Sequence, residues 1–218
     1  MATYYYAETD GEVFLVERDG VLAFPEREEE LPFPFEKRFA IPVLGHTVWF
    51  CKPVLEKHPS WTYKDTLSEL PNVSAVVRKA VDQSQPRCVA AGIVIRDGRV
   101  CLVKANRGHT TGYWNLPGGF VDYGENPRDT VRRELKEELA ADVEVGDLLG
   151  TYEAVFPNTG RFMIAFVYLC TSSTELFVPA EDEISAVGWF PPEEAAAMTR
   201  NPFSLRALAD LRALQQKG

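Results

Sequence analysis

The chain has 218 residues, of which 45% are hydrophobic and 25% charged, as in ordinary globular proteins of one large or two small domains. Its net charge of -9 argues against general nucleic-acid binding, which needs a basic face. No apolar run approaches the roughly 20 residues of a membrane span, and the start lacks the basic and apolar regions of a signal peptide. We therefore expect a cytoplasmic protein without a membrane or stable nucleic-acid partner.

Residues 1–85 predict a small β-rich domain. Strand-like segments at residues 13–17 and 21–24 flank Asp19-Gly20, a pair that suits a tight hairpin turn. Tyr4-Tyr5-Tyr6 indicates a packed edge strand or an interface. The acidic, proline-containing residues 25–35 predict an exposed loop, because prolines and like charges disfavour both ladder and helix.

Three further elements complete this first part. A strand is expected around Val48 and Phe50, a helix at residues 73–81, and a linker at residues 83–86. The linker places a domain boundary between residues 1–85 and 86–218.

Residues 86–218 predict a mixed sheet covered by helices, that is, an α/β (α+β) fold. The expected strands are residues 89–95 and 100–104, forming a hairpin around Asp97-Gly98, and residues 149–155, 163–169 and 187–190. Beyond the acidic helix described next, helical segments are expected at residues 192–198 and 202–216. In the last of these, a leucine row indicates core or dimer packing, at Leu205, Leu208, Leu211 and Leu214.

An acidic helix is the most informative element. Asn126 is a good N-cap, Pro127 suits the first helical position, and apolar residues recur every four positions at Val131, Leu135 and Leu139. Three glutamates fall at positions i, i+3 and i+4, namely Glu134, Glu137 and Glu138. Their side chains therefore emerge on one face within roughly 6 Å of axial rise.

These residue types suit a magnesium and diphosphate site. Mg²⁺ takes oxygen ligands and keeps waters, so clustered carboxylates can bind it and leave room for phosphate oxygens. Upstream, residues 116–120 read Leu-Pro-Gly-Gly-Phe, where glycines let the backbone approach a ligand or metal closely. The alternative is a solvated acidic face stabilised by i,i+4 ion pairs.

Residues 119–141 resemble the signature box of the Nudix hydrolases, preceded by that family's common Leu-Pro-Gly-Gly. The matching positions are Gly119, Glu125, Arg133, Glu134, Leu135, Glu137 and Glu138. One position departs from the pattern, since Ala140 stands where the family has a late glycine. Because glycine there usually provides a left-handed helix cap, we expect a small local backbone change without loss of catalysis.

The resemblance implies a Nudix-type αβα sandwich over about residues 88–200, with residues 1–85 as an extension. It also implies that Mg²⁺ or Mn²⁺ is bound by Glu134, Glu137 and Glu138, with the Gly119 carbonyl as a further ligand. Arg133 would orient the carboxylates through Glu125. The base would be Glu134 or a later loop acid, for which the candidates are Glu181 and Glu183.

Candidate substrate residues lie outside the box. Lys104 and Arg107 could pair with phosphates, and Phe156 and Arg161 could border the pocket, although each charged residue could instead face solvent. For Trp114 the position favours packing over base stacking. The four cysteines lack a Cys-x-x-Cys pair and are interpreted as free thiols, mostly buried, at Cys51, Cys88, Cys101 and Cys170.

The predicted function is a metal-dependent pyrophosphohydrolase that cleaves the diphosphate of a nucleoside diphosphate linked to another moiety, such as ADP-ribose, a sugar nucleotide or a dinucleotide. One alternative is a nucleoside triphosphate pyrophosphatase that cleans the nucleotide pool. Another is a non-catalytic nucleotide-binding regulator. By analogy with extended Nudix enzymes, the first domain is expected to form a homodimer or to cover the substrate.

Overall fold

The structure is a computed structural model that describes residues 1–57, 59–106, 111–156 and 160–216. The chain divides into two compact units. The first unit comprises Met1–Pro86 together with Val155–Phe162, and the second comprises Arg87–Ala154 together with Met163–Gly218.

The first unit is built on a five-stranded sheet, and its elements follow the chain. They are β1 (Thr3–Thr9), β2 (Glu12–Val13), β3 (Val16–Arg18), β4 (Val21–Ala23), β5 (Phe35–Val43), β6 (His46–Pro53), β7 (Thr62–Tyr63) and helix α1 (Ala75–Ser84). The sheet order is β5-β6-β1-β2-β7, while β3 and β4 form a separate hairpin. That hairpin turns at Asp19-Gly20 as predicted, with φ of 51° and 76°.

Strand β1 carries the three tyrosines where it pairs with β6, and its pairing with β2 lies beyond them, at Glu8 and Thr9. The Tyr6 ring is fully buried and lies 4.8 Å from Phe24 and 4.6 Å from Phe50, measured between ring centroids. Successive tyrosines of this strand point to opposite faces of the sheet. Their large rings therefore supply apolar surface on both faces, which is much of a small core.

Three predictions for this unit need correction. The strand at residues 13–17 is broken, because β2 pairs with β1 whereas β3 pairs with β4 in another sheet. Residues 83 and 84 are helical instead of a linker, since α1 begins after an N-cap at Ser74 and runs to Ser84. Strand β5 was not predicted at all, because charged and exposed residues fill most of its length.

The second unit contains the mixed sheet that was predicted. Its strands are β8 (Arg87–Arg96), β9 (Arg99–Ala105), β10 (Trp114–Asn115), β11 (Gly118–Phe120), β12 (Val143–Phe156), β13 (Arg161–Ser172) and β14 (Ile184–Phe190). The order is β10-β9-β8-β13-β12, with β11 on β8 and β14 on β9. Strand β13 is parallel to β8, whereas β9, β10 and β14 pair antiparallel.

Three helices belong to this unit: α2 (Pro127–Leu139), α3 (Pro192–Met198) and α4 (Pro202–Gln215). Helix α2 starts as predicted, with the Asn126 side chain accepting from the Arg128 N–H at 3.0 Å. Its buried stripe packs on the sheet, at Val131, Leu135 and Leu139. In α4 only Leu208 and Leu211 of the leucine row are buried, because a three-residue spacing drifts around a helix of 3.6 residues per turn.

The expected backbone change at Ala140 is wrong. Ala140 keeps the left-handed conformation, with φ of 52° and ψ of 24°, and its N–H donates to Lys136 at 3.0 Å. Leu139 before it and Ala141 after it are both fully buried. Since both neighbours are fixed in the core, the chain must turn at residue 140 whichever side chain stands there.

Two smaller points concern the whole chain. Cys51, Cys101 and Cys170 are buried free thiols as expected, whereas Cys88 is only half-buried. In the described part of the chain, no helix has both the length and the apolar character needed to cross a membrane.

Candidate active site

Helix α2 carries the three predicted glutamates into different environments. Glu138 is 8% exposed, whereas the Glu134 side chain is 13% exposed and that of Glu137 is 56% exposed. The three residues share a helix face, as their spacing requires. Exposure on this face therefore rises from the buried carboxylate of Glu138 to the solvent-exposed carboxylate of Glu137.

A glycine brings backbone to the buried carboxylate. The Gly118 N–H donates to Oε2 of Glu138 at 3.0 Å. Gly118 has φ of +146°, and a Cβ built on it would lie 2.2 Å from the carbonyl oxygen of Ala90 on β8. Only glycine fits so close to the neighbouring strand, and this fit places the N–H in reach of Glu138.

The next glycine makes room for the second glutamate. A Cβ on Gly119 would lie 2.3 Å from Oε1 of Glu134. The Glu134 carboxylate therefore occupies the space that any larger residue at 119 would fill. The two adjacent glycines thus place two carboxylates of α2 against the short strand β11.

Arg133 joins the acidic residues through one guanidinium group. Its Nε and one terminal nitrogen hold Glu125 at 2.9 Å and 3.0 Å. The other terminal nitrogen donates to Glu134 at 2.7 Å and to Glu137 at 3.1 Å. A further bond of 3.0 Å reaches the Phe120 carbonyl on β11. The predicted orienting contact through Glu125 is therefore present as a bidentate pair.

Glu125 is held as a carboxylate. Hydrogen bonds from Arg133, and next from the Thr130 hydroxyl at 2.7 Å, lower the pKa of Glu125 to about 2. Thr130 is fully buried and was not singled out from the sequence. The available signal was a polar residue on the buried side of the helix, five positions after an acid of the box.

A loop brings one of the two later acids to the site. The N–H of Ala180 donates to the Glu138 carbonyl at 2.9 Å, so the loop before β14 is fastened to the end of α2. Burial is the largest cause that raises the pKa values of Glu134 and Glu138, and the charge of Glu183 adds to both shifts. Glu181 is exposed, and its described contact is its backbone carbonyl, which accepts from Asn106 at 3.0 Å.

The buried glutamate titrates far from its ordinary range. Burial, together with the charges of Glu134, Glu183 and Glu137, raises the pKa of Glu138 to about 8 against the opposing hydrogen bond from Gly118. Burial likewise raises the pKa of Glu134, although Arg133 opposes that shift. Carboxylates that repel one another in a partly buried site favour a proton or a cation among them.

The residues present fit a hard divalent cation. Their donor atoms are carboxylate oxygens, which Mg²⁺ and Mn²⁺ prefer, and Glu138 is a buried carboxylate that faces other acids. Among the described residues, however, no three acidic, histidine or cysteine side chains converge closely enough to hold a metal. Arg133 instead draws Glu134 and Glu137 to itself, so metal binding requires these two side chains to turn.

The predicted substrate residues lie on several elements of the structure. Lys104 is half-buried on β9, opposite Trp114 in the ladder. Arg107 lies outside the described residues. Phe156 and Arg161 group with the first unit, whereas the acids belong to the second. The Trp114 ring packs on Phe190 at 5.0 Å and 75°, in keeping with the packing interpretation.

Several known proteins are similar to this chain in sequence or structure. A MutT-like protein from Streptomyces ambofaciens is 35% identical over 54% of this chain and 72% of its own length. An ADP-ribose pyrophosphatase from Methanocaldococcus jannaschii is 33% identical over 38% of this chain and 50% of its own length. The crystal structure of a MutT NUDIX hydrolase from Burkholderia pseudomallei is 32% identical, with a TM-score of 0.51 over 58% of this chain and 98% of that chain.

A family profile matches the second part of the chain. The profile of the NUDIX domain matches residues 86–211, which is more than half of the chain and extends beyond the region inferred from the box alone. The matched region contains the acidic helix, both glycines and the loop of Glu183. The chain belongs to the Nudix family of hydrolases, enzymes that act on phosphoric anhydrides.

Proposed function

We propose that the chain is an Mg²⁺-dependent pyrophosphohydrolase that cleaves the diphosphate of a nucleoside diphosphate linked to another moiety, with ADP-ribose as the leading substrate. The observation that carries the reaction type is the graded acidic face of α2 against the two glycines of β11. Similarity to the ADP-ribose pyrophosphatase of M. jannaschii supports ADP-ribose as the substrate, although the chain spans only half of that protein's length.

Three glutamates of α2 would hold the cation, namely Glu134, Glu137 and Glu138. When bound there, Mg²⁺ would neutralise charge on the diphosphate and make an attacking water more acidic. Glu138 is positioned for this by the Gly118 N–H, and Glu134 by the room left at Gly119. Arg133 holds Glu134 and Glu137 in the metal-free protein, and these two side chains would turn from it to reach the cation.

We assign the general base to Glu183 ahead of Glu181. The charge of Glu183 acts on both Glu134 and Glu138, and its loop is bonded to the helix end. A base in that position can accept a proton from water beside the diphosphate. Proton acceptance of this kind contributes about 10²–10⁴-fold to rate in enzymes.

The test is a product analysis with a matched pair of variants. Purified protein, Glu138→Gln and the exposed control Glu144→Gln are each incubated with Mg²⁺ and one of three substrates: ADP-ribose, a sugar nucleotide or a nucleoside triphosphate. We expect ADP-ribose to give AMP and ribose 5-phosphate, with loss of about 10³-fold or more in Glu138→Gln and little change in the control.

Other products would identify another function. Release of inorganic diphosphate from a nucleoside triphosphate, in preference to the other compounds, would support the nucleotide-pool alternative. Tight binding of ADP-ribose without turnover under Mg²⁺ or Mn²⁺ would overturn the enzyme proposal in favour of a regulator. Gel filtration of the same preparations tests the proposed homodimer. The proposed interface lies in residues 1–85.

A further inference from the structure

The chain crosses from one strand to another just before the two glycines. Trp114 and Asn115 pair with β9, whereas residues 118–120 pair with β8. Leu116 and Pro117 make the crossing, and of these two only Leu116 has a backbone N–H, because proline lacks one. Leu116 is 6% exposed, and a buried N–H requires an acceptor.

That acceptor is a side chain of the last helix. The Leu116 N–H donates to the hydroxyl oxygen of Ser204 at 3.3 Å, and Ser204 is 3% exposed. A second contact lies beside this bond, because Thr199, just ahead of α4, forms a β-bridge with Trp114. The beginning of α4 therefore holds the segment that leads to the glycines at two points.

The start of α4 determines where this hydroxyl lies. Asn201 caps the helix by accepting from the Phe203 N–H at 2.9 Å, so Ser204 falls in the first turn. The helix buries Ser204 together with Phe203 and Ala207. A buried hydroxyl costs free energy unless it is hydrogen-bonded, and the bond from Leu116 offsets that cost.

The same crossing determines where the Gly118 N–H lies. The Pro117 carbonyl accepts from the Gly92 N–H at 3.0 Å, which fastens the crossing to β8. The Gly118 N–H in turn donates to Oε2 of Glu138 at 3.0 Å. Gly118 follows Leu116 by two residues, so a shift of the crossing moves this donor away from the Glu138 carboxylate, and such bonds weaken steeply with distance and angle.

We propose that Ser204 is a positioning residue for the metal site. Its hydroxyl fixes the crossing at Leu116 and thereby the Gly118 N–H that holds Glu138 for the cation. The inference rests on the proposed function, because it takes Glu138 to bind the divalent cation. It gives helix α4, which lies outside the signature box, a part in metal binding.

The expected effect follows from the loss of one acceptor. Without the Ser204 hydroxyl, the Leu116 N–H is buried and unpaired, and an unpaired buried donor favours any shift that finds it another acceptor. That shift weakens the support of Glu138 by Gly118. Changes in groups that orient a metal ligand typically cost about 10–100-fold in metal affinity. Because Ser204 acts through two further residues, we expect the lower end of this range.

The experiment measures the binding of Mn²⁺ alone, without substrate. The metal-free full chain, Ser204→Ala and Ala207→Gly are titrated with Mn²⁺, and the free ion is followed by electron paramagnetic resonance. Ala207→Gly is the matched control, because Ala207 is fully buried in the same helix. Its loss of a methyl group destabilises the chain but leaves the Ser204 hydroxyl in place.

We expect Ser204→Ala to raise the Kd for Mn²⁺ about tenfold. Ala207→Gly should keep the wild-type Kd although its unfolding temperature falls. A wild-type Kd in Ser204→Ala overturns the inference. An equal rise in Ala207→Gly overturns it as well, because the effect would then come from lost stability.

Amide hydrogen exchange in the metal-free protein tests the geometric step by itself. In Ser204→Ala we expect exchange at the Leu116 and Gly118 amides to quicken about tenfold more than at Leu135, in the core of α2. The same change at all three amides would reduce Ser204 to a structural role and overturn the inference.

Failure of the proposed function has a different signature. Mn²⁺ binding and amide exchange need no turnover. A wild-type chain that binds Mn²⁺ but hydrolyses none of the compounds therefore loses the proposed function, while the comparison of Ser204→Ala with Ala207→Gly still decides the inference. A wild-type chain that binds no Mn²⁺ overturns both.

Discussion

At the residue scale, the site depends on carboxylates that the fold holds in unlike states. Glu125 is kept ionised by Arg133 and Thr130, whereas burial and like charges favour the protonated form of Glu138. Both sit within one helical segment and its entry. Groups whose surroundings drive their pKa values apart can take different roles at a single pH.

The raised pKa of Glu138 predicts a stability that depends on pH in the metal-free protein. The folded chain holds this proton more tightly than the unfolded chain, so the contribution is complete below about pH 4.5 and is lost as pH rises through about 8. Above that pH, Glu138→Gln should be more stable than the wild type, by at most about 5 kcal/mol. Urea unfolding at pH 5 and pH 9 in the presence of a chelator measures this, and an equal difference at both values would contradict it.

The left-handed alanine predicts a stabilising substitution. Alanine at φ of 52° carries a steric cost that glycine does not, so Ala140→Gly should raise the free energy of unfolding by about 1 kcal/mol. The control is Ala141→Gly, which removes a buried methyl group and should destabilise the chain. Chemical denaturation of both variants measures the two signs, and a loss of stability in Ala140→Gly would refute the account.

At the scale of elements, the sequence predicted those helices and turns that are determined by residues close together in the chain. The N-cap at Asn126 and the four-residue stripe fixed the limits of α2, because both lie within the helix itself. The turn at Asp97-Gly98 was equally readable, since the φ values of 49° and 71° follow from the residue types. Strand β5 could not be predicted from its charged residues, because its partner β6 determines it.

The same division applies to the candidate site. The acids and Arg133 could be chosen from their spacing, whereas Asn106 could not, because its bond to the Glu181 carbonyl joins residues distant in the chain. Thr130 was missed although it lies only five positions after Glu125, whose carboxylate it contacts. Gly118 was chosen because a glycine lets the backbone approach a ligand or metal closely, but its closeness to Ala90 emerges only from the sheet.

The docked loop predicts unequal effects of two neighbouring glutamates. Glu183→Gln removes the charge that acts on the acids of α2, and we expect kcat to fall about 10²–10⁴-fold. Glu181→Gln, the matched control on the same loop, should change kcat less than about threefold. Rates at saturating substrate and Mg²⁺ decide between them. Equal losses in both variants, or a larger loss in Glu181→Gln, would remove Glu183 as the base.

At the scale of the whole molecule, each of the two units has its own core. The core of the second unit consists of residues from β8 onward, and that of the first unit of residues between Tyr6 and Val81. The family match covers residues 86–211 and so leaves residues 1–85 without a counterpart in the profile. Two roles are proposed for these residues, a dimer interface and a cover over the substrate. The gel filtration described above tests the first of them.

Metal binding should be visible in the unfolding of the whole chain. A cation that binds only the folded state stabilises it by about 1.4 kcal/mol at ten times its Kd, or roughly 3–6 °C in Tm for a chain of this size. We expect this shift with Mg²⁺ in the wild type, larger at pH 9 than at pH 6, because a deprotonated Glu138 binds cations better. Calorimetry on Glu138→Gln should show little shift, and an equal shift there would place the metal elsewhere.

The contacts of the Arg133 guanidinium bear on whether the chain can fold without a bound metal. By holding Glu125, Glu134 and Glu137 together, it supplies an internal counter-ion to a helix whose acids would otherwise repel. Structural zinc sites lack such a substitute and stay unfolded until the metal arrives. Here the chain can complete its fold during synthesis in a metal-poor cell. Activity would then await only a rearrangement of side chains when magnesium becomes available.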